Sequence, residues 1–298
     1  MYLVYKALVS LAHFIGICVP QGYMAFRNIV SLWISNFPTF LPGVFYPFGP
    51  GDSYSHRVDD GWTTASISRP FNYFGYTSTQ IYVNSNGFLT FDSGWARYSP
   101  YRFPGAGRNI VSPFWTDLDN RFSGTISYRE HTSGGVLQQA STDINQYFPG
   151  IGFSASWVFV ATWDRVEYYS SSGTEISFQV VLISGGQSSF TLMNYGAMSA
   201  TSRSVQAGYD TSDSAHHFSI PGSFRSNITN LRYTSNVNRP GRWVFQIEDG
   251  PRGCQYNGNL KNDYSIQFNS IQFYLYSAIT IQFLHLVDVH NIYTDIRW

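Results

Sequence analysis

The chain has 298 residues with 18 basic and 18 acidic side chains, so its formal net charge is zero. Charged residues make up only 12% of the chain, whereas aromatic residues make up 18%. The absence of a Lys/Arg cluster excludes the basic face that nucleic-acid binding requires, and the aromatic content excludes a disordered chain. Cys18 and Cys254 both lie outside residues 45–248, so a disulfide framework is excluded for the middle of the chain.

Residues 1–22 predict a secretory signal peptide. Lys6 supplies one positive charge, and the apolar stretch 7–19 has the length of a signal peptide's hydrophobic region but is short for a bilayer span. A buried N-terminal strand or helix is the alternative interpretation. Residues 23–44 show no firm period and are predicted to be a lead-in or linker.

Short alternating segments at hairpin spacing follow residue 45 and predict an antiparallel β protein. Segments 80–83 and 88–91 flank Asn84-Ser85-Asn86-Gly87, whose Asn-Gly pair predicts a hairpin with a tight primed turn. In segment 157–166, alternation places four apolar side chains on one face: Trp157, Phe159, Ala161 and Trp163. Further strands are predicted at 63–68, 175–183, 190–195, 205–209 and 243–247.

The stretch on which the other strands are expected to pack is 109–130, NIVSPFWTDLDNRFSGTISYRE. Its apolar run, which ends at Trp115, predicts a buried central strand. Asp117 and Asp119 follow at the rim of the sheet, and a polar turn leads into an alternating strand at 125–129. We expect this second strand to return beside the first one as a hairpin.

Residues 136–148 depart from the two-residue period and predict one helix. Ser133 is expected to cap its start, and Pro149-Gly150 to end it. The apolar residues recur at helical spacing: Val136, Leu137, Ala140, Ile144 and Phe148. The predicted fold class is therefore mainly β, an antiparallel β-sandwich with one amphipathic helix, about 136–148, packed on it.

Residues 249–298 differ in character from the preceding region and predict a divergent tail. The segment 271–289 is apolar, but Gln272, Gln282, His285 and Asp288 make it a poor transmembrane helix. Membrane association through this segment is the alternative to a tail that comes from a truncated or incorrectly assembled gene.

Five segments together resemble one known module: FYPFGPGD at 45–52, IYVNSNGFLTF at 81–91, IVSPFWTDLD at 110–119, WVFVATWDRV at 157–166 and TSNVNRPGRWVFQI at 234–247. They are similar to the NIDO domain, an extracellular module, and above all to the N-terminal region of alpha-tectorin-like and sushi, nidogen and EGF-like domain proteins. The resemblance covers 45–248 in the expected order. It implies an adhesive or matrix module rather than a catalyst.

Asp117 and Asp119 are the candidate site residues, because a two-residue spacing places both carboxylates on the same side of an extended strand. Paired carboxylates could serve a glycosidase, and Asp-x-Asp-Asn before a turn could supply oxygen ligands to calcium. The EF-hand pattern fails, since Arg121 and Phe122 stand where an oxygen ligand and a glycine are needed. The alternative, which needs no cofactor, is that both carboxylates accept backbone N–H bonds and pin the turn.

Three shorter motifs have simpler interpretations. His216-His217 could suggest zinc, but adjacent residues on a strand point to opposite faces and no third ligand is marked, so a loop pair is predicted. Asp59-Asp60-Gly61 is predicted to be a turn. Asn227-Ile228-Thr229 is an acceptor for N-glycosylation if the chain is secreted.

The leading hypothesis is a secreted, non-enzymatic module that acts in cell–matrix adhesion. The expected partners are extracellular matrix proteins or glycoproteins, with neither nucleic acid nor membrane insertion involved. A glycan-binding module that uses exposed aromatic rings is the second hypothesis, and a hydrolase that uses Asp117 or Asp119 is the third.

Overall fold

The computed structural model describes residues 45–186 and 188–247, which form two antiparallel sheets with one α-helix. In chain order the elements are β1 (Ser53–Tyr54), β2 (Trp62–Tyr73), β3 (Tyr76–Asn84), β4 (Phe88–Thr90), β5 (Ile110–Trp115), β6 (Leu118–Asp119), β7 (Thr125–His131), α1 (Gly135–Tyr147), β8 (Trp157–Tyr168), β9 (Ser171–Gly185), β10 (Ser188–Met198), β11 (Gln206–Asp210), β12 (His217–Ser219), a 3-10 helix (Ile228–Tyr233) and β13 (Arg242–Gln246). The predicted mainly β class is confirmed.

The strands divide into a seven-stranded and a six-stranded sheet. The first has the order β1-β7-β8-β9-β10-β13, with β6 paired to β8 off this path. The second has the order β12-β11-β5-β4-β3-β2. All named strand pairs are antiparallel, from the short β1–β7 pair to the long β8–β9 ladder. The architecture is the predicted β-sandwich.

The main core lies between the two sheets and is rich in aromatic rings. The predicted inward face of β8 is confirmed, because Trp157, Phe159, Ala161 and Trp163 are each at most 1% exposed and belong to this core. The indole N–H of Trp163 donates to the carbonyl of Asn84, 3.0 Å away. A large ring can therefore be buried without leaving its polar atom unpaired.

The helix covers the other face of the seven-stranded sheet. It spans Gly135–Tyr147, one residue earlier at each end than predicted, and buries Ala140 and Ile144 against apolar residues of β8, β9 and β10. The prediction that Ser133 caps the helix is wrong. The N-cap is Gly134, which has a φ of 89° and no side-chain cap hydrogen bond, so the chain turns into the helix through a backbone conformation that favours glycine.

The predicted hairpin between the strands of 109–130 is wrong. β5 is a buried central strand, as expected, and lies between β11 and β4 in the six-stranded sheet. The chain then crosses over, because β6 and β7 both pair with β8 in the other sheet. A local pattern identifies two strands and a turn, but whether they pair with each other depends on residues far away in sequence.

The hairpin of β3 and β4 is confirmed, but its predicted turn type is wrong. Asn84 is opposite Phe88, so the loop has three residues, and of these Gly87 alone has a positive φ, 83°. A Cβ at Gly87 would lie 2.1 Å from the carbonyl oxygen of Phe114. Glycine is therefore required here by both conformation and space.

The predicted signal peptide, linker and tail, at 1–22, 23–44 and 249–298, lie outside the described residues. Within the described residues no helix is long and apolar enough to span a membrane.

Candidate functional site

Asp119 is bound by the arginine two residues further along. Arg121 donates Nε–H to Oδ1 at 3.0 Å and Nη2–H to Oδ2 at 2.8 Å, and its backbone N–H donates to Oδ1 at 2.9 Å. The hydrogen bonds from the Arg121 side chain hold the pKa of Asp119 below its usual value. The expectation that a carboxylate pins this turn is confirmed for Asp119.

Asp117 has different neighbours, because it lies in the crossover between β5 and β6. Arg203 donates to its carboxylate at 3.2 Å. Asp117 also lies beside Asp59 and Asp60, and the three carboxylates each offer an oxygen within 4.8 Å of the others. Burial raises the pKa of Asp117, and the Arg203 charge opposes this rise. The sequence identified Asp59 and Asp60 only as part of a turn and gave no sign that they lie beside Asp117.

Two arginines, Arg121 and Arg203, pair with the acidic cluster, which we define as Asp59, Asp60, Asp117 and Asp119. Arg121 lies 3.2 Å from Asp59 as well as on Asp119, and Arg203 holds Asp117. Burial raises the pKa of Asp59, and Arg121 opposes this rise. Calcium binding at Asp117 and Asp119 stays an alternative prediction. The carboxylates that the structure groups, which are the type of ligand that calcium takes, are instead those of Asp117, Asp59 and Asp60.

The histidine pair is divided between two environments. The His216 ring stacks on Phe74, with centroids 4.6 Å apart and an interplanar angle of 6°. His217 begins β12, and its Nδ1 lies 2.9 Å from the carbonyl oxygen of Ser214. The predicted loop pair is therefore confirmed for His216 but wrong for His217, which belongs to a strand.

The loop between β6 and β7 carries the most exposed large apolar side chain of the described residues, Phe122, which is 86% exposed. The Arg121 guanidinium lies over the rings of Phe122 and Tyr169, at 5.6 Å and 5.7 Å from their centroids. We call Arg121, Phe122 and Tyr169 the Phe122 ridge. Asp59 and Asp119 also hold Arg121, so the acidic cluster orders the arginine of the ridge.

A buried charged network under α1 was missed in the sequence. Arg242, which is 0% exposed, donates to Asp143 at 2.7 Å, to Asn194 at 2.8 Å and to the Tyr147 hydroxyl at 3.0 Å. The Tyr46 hydroxyl donates to the same Asp143 oxygen at 2.9 Å. Burial and the nearby Asp143 charge raise the pKa of Tyr46. A sequence signal did exist, because Asp143 interrupts the apolar face of the helix.

Asn227 lies in the exposed loop just before the 3-10 helix. Its side chain lies close to Gly222, since a Cβ atom added to that glycine would be 3.7 Å from the Asn227 side-chain oxygen. Ile228, the middle residue of the acceptor motif, is buried and anchors the loop in the core. An accessible asparagine on an anchored loop is compatible with glycan attachment, which stays a prediction.

Comparison with known proteins defines the class. A family model described as a nidogen-like domain, NIDO, matches residues 79–249, more than half of the chain. The chain therefore belongs to the nidogen-like domain family, as the resemblance in the sequence predicted. Strands β1 and β2 and the first residues of β3 precede the matched range but pair within the same two sheets.

Individual relatives include alpha-tectorins and nidogens. The chain is 40% identical to chicken alpha-tectorin over 222 residues, which are 68% of this chain and 10% of that protein. It is 36% identical to human alpha-tectorin over 266 residues, 80% of this chain and 12% of that protein. It is 30% identical to mouse nidogen-1 over 232 residues, 68% of this chain and 19% of that protein. The chain thus spans between a tenth and a fifth of these relatives' lengths, and no solved structure matches it.

Proposed function

We propose that this protein is a secreted, non-enzymatic module that adheres to extracellular matrix proteins or glycoproteins. Its membership of the family that includes alpha-tectorin and nidogen, which are extracellular matrix proteins, supports a matrix module. The single observation that carries the adhesive role is the Phe122 ridge, where a nearly fully exposed ring stands beside an arginine fixed by two carboxylates.

Phe122 has the properties of an adhesive contact. A ring that is 86% exposed loses little of its water on folding, so a partner that covers it gains most of the hydrophobic free energy of a buried phenylalanine. Arginine and aromatic residues dominate the binding energy of protein interfaces. Arg121 is already ordered by Asp59 and Asp119, which reduces the entropy lost when a partner binds.

The hydrolase hypothesis has less support. A glycosidase needs two carboxylates that flank the scissile bond, one of them free to donate a proton and the other to attack or activate water. Here Arg121 occupies both oxygens of Asp119, and Arg203 binds Asp117. We therefore propose that these acids hold the ridge and the crossover in place.

The test is retention of the purified full chain on a decellularised extracellular matrix. Phe122→Ser should reduce retention about tenfold or more, as expected when an interface loses its central aromatic side chain. Tyr98→Ser, which removes another exposed ring (50% exposed), is the matched control and should change retention less than twofold. Equal retention of Phe122→Ser and the wild-type chain would contradict the proposed contact.

Calcium and catalysis are tested in the same preparation. Retention measured with calcium and with a chelator separates a calcium-dependent contact from a direct one. An Asp117→Asn/Asp119→Asn variant identifies any hydrolysis that depends on these acids. Turnover of a matrix glycan by the wild-type chain and its loss in this variant, with the fold retained, would overturn the non-enzymatic assignment.

A further inference from the structure

A cleft of about 350 Å³ lies between the loop that precedes β5 and the segment that follows β12. Its walls come from Arg102 and Phe103, from Gln206 on β11 and from residues 219–225. Both arginines of the lining, Arg102 and Arg225, are exposed at its edge. We call this site the arginine cleft. It shares no residue with the Phe122 ridge.

The segments that form most of the cleft contain basic residues and no acids. Residues 93–116 contain three arginines, and residues 214–247 contain four, with no Asp or Glu in either segment. Of these seven, Arg102 and Arg225 line the cleft, whereas Arg239 and Arg242 pair with Asp143. Lysine is absent from residues 45–247, so every fixed positive charge there is a guanidinium. Guanidinium groups bind sulfate and carboxylate through paired N–H donors, which a lysine ammonium cannot do. The charge of the cleft lining, which comes from Arg102 and Arg225, therefore favours an anionic ligand, although the whole chain is neutral.

The two arginines of the cleft are also unusual in having no internal partner. Most arginines of the described region donate to a carboxylate or a backbone carbonyl, as Arg203 does to Asp117. Within that region, four guanidinium groups have neither a carboxylate nor another hydrogen-bond acceptor: those of Arg102, Arg129, Arg225 and Arg232. Two of these four lie in the cleft, so their N–H donors are available to a ligand.

The cleft is held in shape by buried hydrogen bonds. Gln206, which is 0% exposed, accepts from the Phe103 N–H at 3.2 Å and donates to the Ser219 hydroxyl at 3.0 Å. Ser223 donates to the Ile220 carbonyl at 2.7 Å. The first of these bonds joins segments 103 residues apart in sequence, the second ties β11 to the segment 219–223, and the third lies within that segment. The walls are therefore preorganised, which reduces the entropy cost of binding.

Phe224 positions one of the two arginines. Its backbone has a φ of 58°, a conformation that non-glycine residues rarely adopt, and its N–H donates to the Val205 carbonyl at 2.8 Å. In this conformation the ring lies 4.1 Å from the Arg102 guanidinium carbon. The ring face holds the cation and leaves the N–H groups on the edge of the guanidinium available.

We propose that the arginine cleft binds an acidic oligosaccharide, a segment of a sulfated glycan chain. Two unpaired guanidinium groups in one cleft favour a ligand that carries anionic groups. Ser223 donates to the Ile220 carbonyl, and its oxygen already accepts the Ala207 N–H at 3.1 Å. Ser219 donates to the Phe103 carbonyl and accepts from Gln206, which leaves one lone pair of its oxygen for a hydroxyl donor of the ligand. Sulfated sugars carry both anionic groups and hydroxyl donors, whereas an acidic peptide lacks the hydroxyls. This binding does not depend on the proposed protein contact at Phe122.

The test measures the Kd of the purified full chain for a heparin-derived octasaccharide. Arg102→Gln/Arg225→Gln should weaken binding about a hundredfold, about tenfold for each charge-assisted contact. Arg129→Gln/Arg232→Gln removes the same charge from the other two unpartnered arginines and should weaken binding less than threefold. Thermal unfolding of both double variants checks that the fold is intact.

Two further ligands test the chemical class. The desulfated octasaccharide should bind at least tenfold more weakly, and a glutamate peptide of equal charge should also bind at least tenfold more weakly. Equal losses in the two double variants would mean that only net charge matters and would overturn the proposal. It would also be overturned by equal binding of the peptide, or by a wild-type chain that does not bind the octasaccharide.

Discussion

The helix-covered face of the seven-stranded sheet and the arginine cleft use the same side chain in opposite ways. Under α1, Arg242 is 0% exposed, and Asp143, Asn194 and Tyr147 accept its hydrogen bonds. In the cleft, Arg102 and Arg225 are exposed and have no such acceptor within the described residues. A buried charge has to be paired inside the molecule, whereas an exposed one can keep its donors for a ligand.

The acidic cluster is intermediate between these two regions. Arg121 is partly exposed, like the arginines of the cleft, but is committed to Asp59 and Asp119 and lies beside the exposed Phe122. The charge of Arg121 therefore helps to order the Phe122 ridge. Internal pairing, rather than exposure alone, therefore distinguishes the arginines that support the fold from those that are free to bind.

The largest expected effect comes from breaking the buried pair. Arg242→Ala leaves the Asp143 charge buried without its main partner, and such a change costs about 3–5 kcal/mol of unfolding free energy. Urea unfolding of the full chain measures this loss. Arg129→Ala, in which the lost arginine has no acceptor, is the control and should stay within about 0.5 kcal/mol of wild type. A loss at Arg242 as small as at Arg129 would mean that the network does not support the fold.

A smaller effect is expected from acidification of the acidic cluster. The pKa of Asp119 is lowered in the folded state, so the unfolded chain binds a proton at Asp119 more readily than the folded chain does. The stability that the Asp119 carboxylate contributes is therefore lost as pH falls below the usual aspartate range. Asp119→Asn should therefore flatten the acid limb of the stability profile, measured by thermal unfolding between pH 2.5 and 6.

Asp117 should behave with the opposite sign. Its pKa is raised, so the folded state binds the proton more readily, and stability falls as pH rises from the usual aspartate range through the folded-state pKa. Asp117→Asn removes this contribution and should make the acid limb steeper. The same change of slope in both variants would contradict the assignment of separate environments to the two acids.

The smallest expected effect is on the stability of the cleft variants. Arg102→Gln/Arg225→Gln removes no internal hydrogen bond, so its unfolding free energy should lie within about 0.5 kcal/mol of wild type. Urea unfolding checks this value. A loss of more than about 2 kcal/mol would show that these arginines belong to the fold, as Arg242 does.

The predicted glycan attachment at Asn227 tests the proposed secretion. The chain purified from a eukaryotic secretion host should shift on a gel after PNGase treatment, and Asn227→Gln should abolish the shift. A shift that persists in this variant would assign the glycan to another residue.

Local patterns allowed much of the fold to be predicted. The inward face of β8, the buried β5 and the helix all follow from side-chain periodicity, which reports which face of an element is buried. The crossover from β5 to β6 and β7 could not be predicted, since sheet membership depends on pairing with β8, about forty residues further along.

The candidate site was predicted only in part, for the same reason. Asp119 and its turn are local, so the carboxylate that pins the loop was identified correctly. Asp117 meets Asp59 and Arg203, and Arg242 meets Asp143 from 99 residues away, contacts that local spacing does not encode. The arginine cleft likewise joins segments more than a hundred residues apart.

Hydrogen exchange of the full chain, with and without a heparin-derived octasaccharide, compares the two regions most directly. If unpaired arginines bind the ligand, the octasaccharide should slow amide exchange in residues 102–103 and 219–225. It should not change exchange in α1 or β13, because their charged side chains are already paired within the protein. Slower exchange in α1 and β13, with no change of exchange in the residues of the cleft, would contradict the assignment of the arginine cleft as the ligand site.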